Sequence, residues 1–188
     1  DRYYHPRFIT TLLDDLFGIQ SRAGCSCAGP YGHKLLGIDE EKAQEFRAVI
    51  AEGHCGIKPG WCRIGFHYLF DDAEVEYILE AVKFIAENGF KYLALYRFDS
   101  TTGLWTHKQP QLLSASLSLE DALNSVFFGA ESLSEAERRD HYASNLNAAH
   151  TYAKHLETEY RDDDVKLAGE EGVLQFFLLS NESLQGRS

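Results

Sequence analysis

The 188-residue sequence predicts an α+β fold: a small antiparallel sheet covered by helices, with a helical C-terminal extension. Three observations carry that expectation. Apolar residues recur at helical spacing in three segments before residue 90. Short runs of strand character adjoin the turn signals at Pro59-Gly60 and Asp99-Ser100-Thr101-Thr102-Gly103. After Pro110 the strand signals give way to helix-capping residues and then to acidic and glycine-rich sequence. The expected organisation is one unit over 1–108, a helical extension over 109–160, and an acidic loop, short strand and tail over 161–188.

The first predicted helix covers 6–17, with Ile9, Leu12, Leu13, Leu16 and Phe17 on its apolar face and Gly18 as the stop. A short stretch at 19–22 leads into small residues over 23–32. The second helix, 39–52, is capped by Asp39, turns Ala43, Phe46, Val49 and Ile50 inward, and ends at Gly53. Pro59-Gly60 turns the chain into a predicted strand over 61–68. Cys62, Ile64, Phe66 and Tyr68 share one face of it; Trp61, Arg63, Gly65 and His67 share the other. The third helix starts at Asp71 or Asp72, carries a stripe of Val75, Ile78, Leu79, Val82, Ile85 and Ala86, and ends at Asn88-Gly89. A hairpin of 90–98 with 103–107 follows. Beyond it, Ser118-Leu119-Glu120-Asp121 opens a short helix, and Ser134 with Glu137 forms a capping box for a long one reaching Tyr160. Residues 161–172 read as a loop or disorder, 173–179 as one strand, and 180–188 as a frayed tail.

Composition narrows the functional classes. Lys and Arg number 18 against 29 Asp and Glu, a net charge of −11 that argues against a nucleic-acid backbone as partner. No apolar run approaches the roughly 20 residues needed to span a bilayer, so no membrane partner is expected. Four cysteines are too few for a disulfide-built scaffold, and reduced thiols in a cytoplasmic setting are the expectation. Methionine is absent and the sequence opens at Asp1-Arg2-Tyr3, which reads as a piece of a longer protein.

Chemistry concentrates in Ser21-Arg22-Ala23-Gly24-Cys25-Ser26-Cys27-Ala28-Gly29-Pro30-Tyr31-Gly32-His33. Glycine and other small residues let this backbone turn tightly and approach a ligand or a neighbouring subunit. Arg22 and His33 flank Cys25 and Cys27, and a cysteine near cationic groups has its thiolate favoured and becomes a nucleophile. The competing reading is that both cysteines are small residues filling a turn.

The run Arg22-Ala23-Gly24-Cys25-Ser26-Cys27-Ala28 resembles the Arg-x-Gly-x-x-Cys-Ala loop of class-V aminotransferase-like pyridoxal-phosphate (PLP) enzymes, a group that includes cysteine desulfurases and selenocysteine lyases. Its Cys-x-Cys form is similar to the loop of molybdenum-cofactor sulfurases. Lys58-Pro59-Gly60-Trp61-Cys62-Arg63-Ile64-Gly65-Phe66-His67-Tyr68 resembles the strand that bears the family's substrate-carboxylate arginine, and the helix over 72–88, with Glu74-Val75, fits the same pattern. The likeness covers 1–98. It implies the C-terminal small domain of a fold-type I enzyme, an amino-acid substrate, PLP in the full-length protein, and a homodimer. In that family the missing N-terminal large domain carries the Schiff-base lysine and most cofactor contacts. No cofactor-binding or metal-binding residue is therefore expected here, and the isolated chain is expected to be inactive.

Carried over by position, Cys27 matches the sulfur-accepting cysteine of desulfurases and Arg63 the arginine that grips the substrate carboxylate. Arg22, Gly24, Cys25 and His33 support the loop. Cys25-Ser26 stand where sulfur-assembly desulfurases carry histidines, and Gly65 stands where serine is usual. Transaminase, desulfurase and lyase therefore stay open. A reading from another class is a non-catalytic interaction domain whose small-residue loop binds a partner. As zinc ligands, Cys25, Cys27, Cys55 and Cys62 with His33, His54 and His67 match no knuckle spacing. His141, His150 and His155 on the long helix read as a solvated face.

Overall fold

A computed structural model describes residues 3–24, 29–109, 133–156 and 165–184. The first helix, α1 (Pro6–Phe17), starts where His5 Nδ1 accepts the Arg7 N–H and Pro6 occupies the first turn. It stops at Gly18, whose φ of 65° suits glycine and brings its N–H to the Asp14 carbonyl. Phe8, Leu12 and Leu13 are completely buried along it, and Phe17 nearly so. Ile9 and Leu16, expected on the core face, pack only partly against it; Phe8, with more apolar surface to bury, takes the central position.

A three-residue strand β1 (Arg22–Gly24) follows α1, and helix α2 (Gly29–Leu35) occupies sequence expected to be loop. Helix α3 (Glu40–Ala51) has the expected Asp39 cap, which accepts the Lys42 N–H at 2.8 Å, and the expected buried face of Ala43, Phe46 and Val49. A single 3-10 turn, Cys55–Ile57, leads to β2 (Trp61–Arg63). The predicted strand over 61–68 is therefore cut short. β1 offers only three residues to pair with, so the ladder ends at Arg63 and the chain from Ile64 onward is irregular.

Helix α4 (Asp72–Asn88) carries a complete capping box: Asp71 accepts the Glu74 N–H and the Glu74 carboxylate accepts the Asp71 N–H, both at 2.9 Å. Its buried face is Ala73, Tyr77, Ile78, Ala81, Phe84 and Ile85. Leu79 and Val82, expected inward, are 55% and 37% exposed. The aromatic pair Tyr77 and Phe84 turns the helix because each buries more apolar surface than the aliphatic residues it displaces.

A 3-10 segment, Gly89–Leu95, takes the first half of the expected hairpin, leaving β3 (Tyr96–Phe98) and β4 (Trp105–His107) paired antiparallel, with Phe98 opposite Trp105. The architecture is α+β as expected, but the strands form two separate two-stranded sheets, β1-β2 and β3-β4, instead of one.

The long helix α5 (Glu135–Leu156) lays Ala149, Ala153 and Leu156 into the same core as α1 and α4. Tyr142 stacks on Tyr77 with 4.2 Å between ring centroids, Asn145 Nδ2 donates to the Tyr77 hydroxyl, and that hydroxyl donates to the Phe17 carbonyl on α1. His141, His150 and His155 are exposed, the solvated face expected, although the His150 ring also meets Phe84 edge-on at 4.8 Å. The predicted strand over 173–179 is mostly absent. Val173 and Leu174 end a short helix α6 (Gly169–Leu174), and Phe177 makes one parallel bridge with Tyr3. Nor does the tail fray as far as Leu184. Helix α7 (Asn181–Leu184) is anchored by Ser183, fully buried, whose Oγ donates to the Leu93 carbonyl at 2.8 Å. Among the described residues no helix is long and apolar enough to cross a membrane.

Candidate functional site

The two sequence motifs that carry chemistry meet in the β1–β2 ribbon. Arg22 pairs with Arg63, Ala23 with Cys62 and Gly24 with Trp61. The backbones come together because Gly60 has no side chain: a Cβ there would sit 2.6 Å from the Gly24 carbonyl carbon and 2.7 Å from its Cα. Gly24 has a φ of 122°, which side-chain-bearing residues rarely adopt.

Arg22 and Arg63 are both exposed. Directly opposed residues of an antiparallel pair lie on one face with Cβ atoms roughly 5 Å apart, and like charges so placed repel. Neither guanidinium has a hydrogen bond or ion pair to any described residue, whereas Arg47 pairs with Glu40, Arg138 with Asp71 and Arg139 with Glu135. Two unneutralised forks side by side are an anion-binding arrangement, and planar guanidinium suits a carboxylate bidentately.

The remaining expected residues divide. Cys25 and Cys27 lie outside the described residues. His33 sits half-buried on α2, and no side-chain contact ties it to either arginine. Cys62, on the ribbon beside Arg63, is half-buried with its Sγ 3.8 Å from the Ser21 hydroxyl. Burial pushes its thiol above the ordinary range, the Ser21 contact opposing only in part, so it stays a protonated packing residue. Cys55 is exposed and unpaired in a disulfide. Every described lysine is exposed except Lys91, which is half-buried and bonds Asn88 at 3.1 Å. None lies in a buried site of the kind that tunes an amine for Schiff-base chemistry. Among them no group of three or more His, Cys, Asp or Glu is gathered for a metal ion.

Two features escaped the sequence reading. The turn after β2 holds Phe66, Tyr68 and Leu69 52%, 87% and 72% exposed, with the Leu69 N–H bonded to His67 Nδ1 and the Phe70 N–H to the His67 carbonyl. Alternation had suggested that Phe66 and Tyr68 shared a strand face with Ile64. Separately, His54 Nδ1 faces Glu171 Oε1 across the junction of α3 and α6. These residues are far apart in sequence, and no local pattern links them.

No family model, curated protein or solved structure matches the chain.

Proposed function

We propose that the chain is the C-terminal small domain of a class-V aminotransferase-like PLP-dependent enzyme, in the manner of a cysteine desulfurase or selenocysteine lyase, and that it supplies the substrate-carboxylate grip. The observation that carries this reading is the ribbon register. It sets Arg22 opposite Arg63, both exposed and without an ion pair to any described residue, two positions before the end of β1 at Gly24. Arg63 holds the α-carboxylate of an amino-acid substrate through two parallel N–H···O bonds, and Arg22 adds a second positive charge. If the reaction is desulfuration, the Cys27 thiolate would attack the sulfur of a cysteine substrate, forming an S–S bond as the substrate's Cβ–S bond breaks and its electron pair passes into the electron sink the cofactor would supply; a reducing cytoplasmic compartment keeps that thiol available. The cofactor, held by a large domain on another part of the enzyme, supplies the electron sink. A homodimer is part of this reading.

The test is to express the chain joined to the sequence encoded upstream of Asp1 and to compare wild type with Cys27→Ala. Bound PLP colour with sulfide release from cysteine that disappears in the variant supports the desulfurase form. Bound colour with amino-group transfer unaffected by the substitution supports a transaminase. A reading frame that starts just before Asp1 and a chain that neither colours with PLP nor turns over an amino acid overturn the reading.

One observation favours the second reading, a non-catalytic interaction domain. The exposed Phe66, Tyr68 and Leu69 form an apolar projection of the kind that seats in a partner's pocket. Retention of a binding partner by the chain, lost on Tyr68→Ala and indifferent to Arg63→Ala, would select it.

A further inference from the structure

A cavity of about 460 Å³ opens between α3, α6 and the loop before α6. Its apolar wall is Val49, Phe98, Leu167 and Leu184, and its polar lining is Glu52, His54, Lys166, Glu170 and Glu171. The volume falls in the range of small-molecule sites, and an apolar wall with a few converging polar groups is the usual composition of one.

Glu171 is the unusual member. Only 10% of its side chain is exposed, yet His54 is its one partner among the described residues. A carboxylate offers about four lone-pair positions, and a buried one that satisfies a single position retains acceptor capacity at a cost. The cavity lining carries three carboxylates, Glu52, Glu170 and Glu171, against the Lys166 ammonium and the His54 ring.

The wall is also braced. Gln175 Oε1 accepts the Leu167 N–H at 2.8 Å, while its Nε2 donates to the Val165 and Phe177 carbonyls at 3.0 and 2.9 Å, fixing the loop that forms one side. A side chain at Gly172 would drive its Cβ into the Leu167 carbonyl, so α6 closes tightly on that loop. Bracing of this kind holds a pocket open at little entropic cost to a ligand.

We infer that this cavity is a binding site for a small organic cation, a protonated amine carried on an apolar body. The ammonium donates to Glu171 and Glu170, and the apolar body lies against Phe98, Val49 and Leu184. The site is separate from the β1–β2 ribbon and does not depend on the function proposed for it.

Calorimetric titration of the chain with phenethylamine, and in parallel with the uncharged 2-phenylethanol, tests the inference. Saturable one-to-one binding of the amine at a Kd of about 1 mM is expected, with the alcohol bound at least tenfold more weakly (about 1.4 kcal/mol). Glu171→Gln should weaken amine binding about tenfold or more, the size of one charge-assisted hydrogen bond. Should that buried substitution unfold the chain, Glu170→Gln and Glu52→Gln on exposed side chains carry the test, each with a severalfold loss. Absence of amine binding at 10 mM, equal binding of the alcohol, or amine binding unchanged in Glu170→Gln and Glu52→Gln would overturn it.

Discussion

In the core formed by α1, α4 and α5, Phe8, Leu12 and Leu13 are fully buried, and one tyrosine hydroxyl ties all three helices together. On the β1–β2 ribbon two arginines stand opposite each other, exposed and without an ion pair to any described residue. The core satisfies nearly every group it buries, so its residues are explained by stability. The ribbon sets like charges opposite each other, which opposes folding by itself, and the carboxylate proposed for it would offset that. Substitutions should therefore separate the two regions, with large losses of stability and no specific effect on binding in one, and the reverse in the other.

The largest expected effect is in the core. Leu12→Ala removes a fully buried side chain among Phe8, Leu13 and their neighbours and should cost about 3 kcal/mol, read as a shift in the urea midpoint. A loss below about 1 kcal/mol would mean that the core is looser than the burial of these residues implies.

Next is a pH effect carried by His5. Its ring is 3% exposed among Phe98, Trp105 and Phe177, and Nε2 donates to the Gly56 carbonyl while Nδ1 accepts the Arg7 N–H. Burial lowers its pKa from 6.5 to about 4. Above pH 6.5 both folded and unfolded chains hold the ring neutral and stability is complete. As pH falls from about 6.5 to about 4, the unfolded chain takes up a proton that the folded chain refuses, so stability declines by roughly 3 kcal/mol and then levels off. The difference between wild type and His5→Gln across this window isolates the contribution; parallel curves would contradict it.

A smaller effect marks the boundary between the regions. Gly60→Ala pushes a methyl against the Gly24 backbone and should cost about 1 to 3 kcal/mol by parting β1 from β2. If the ribbon organises the arginines, any anion binding should weaken in step.

The same contrast explains how much of the molecule was legible in its sequence. The α+β class, α1, α3, α4 and the hairpin turn follow from periodicity and caps, which are local. Asp39, Asp71 with Glu74, and Gly18 mark their helix ends as their chemistry dictates. What was misread depends on partners distant in the chain. The face of α4 is set by Tyr77 and Phe84 meeting α1 and α5, the length of β2 by a three-residue partner, and the order of the C-terminal segment by Tyr3 and Leu93. At the site, the motifs at 22–28 and 61–63 were legible as residue types, and the structure adds that Arg22 faces Arg63. Cys62 carried no signal in sequence that would separate a packing thiol from a reactive one; its burial does so.

The central claim is that the ribbon holds a substrate carboxylate, and Arg63 tests it most directly in the chain joined to its upstream sequence. Arg63→Lys keeps the charge and loses the fork. The expected result is a KM for the amino-acid substrate raised about 10- to 100-fold, with the urea midpoint unchanged, because the side chain is exposed and makes no hydrogen bond or ion pair to a described residue. An unchanged KM in Arg63→Lys and in Arg63→Ala would contradict the claim.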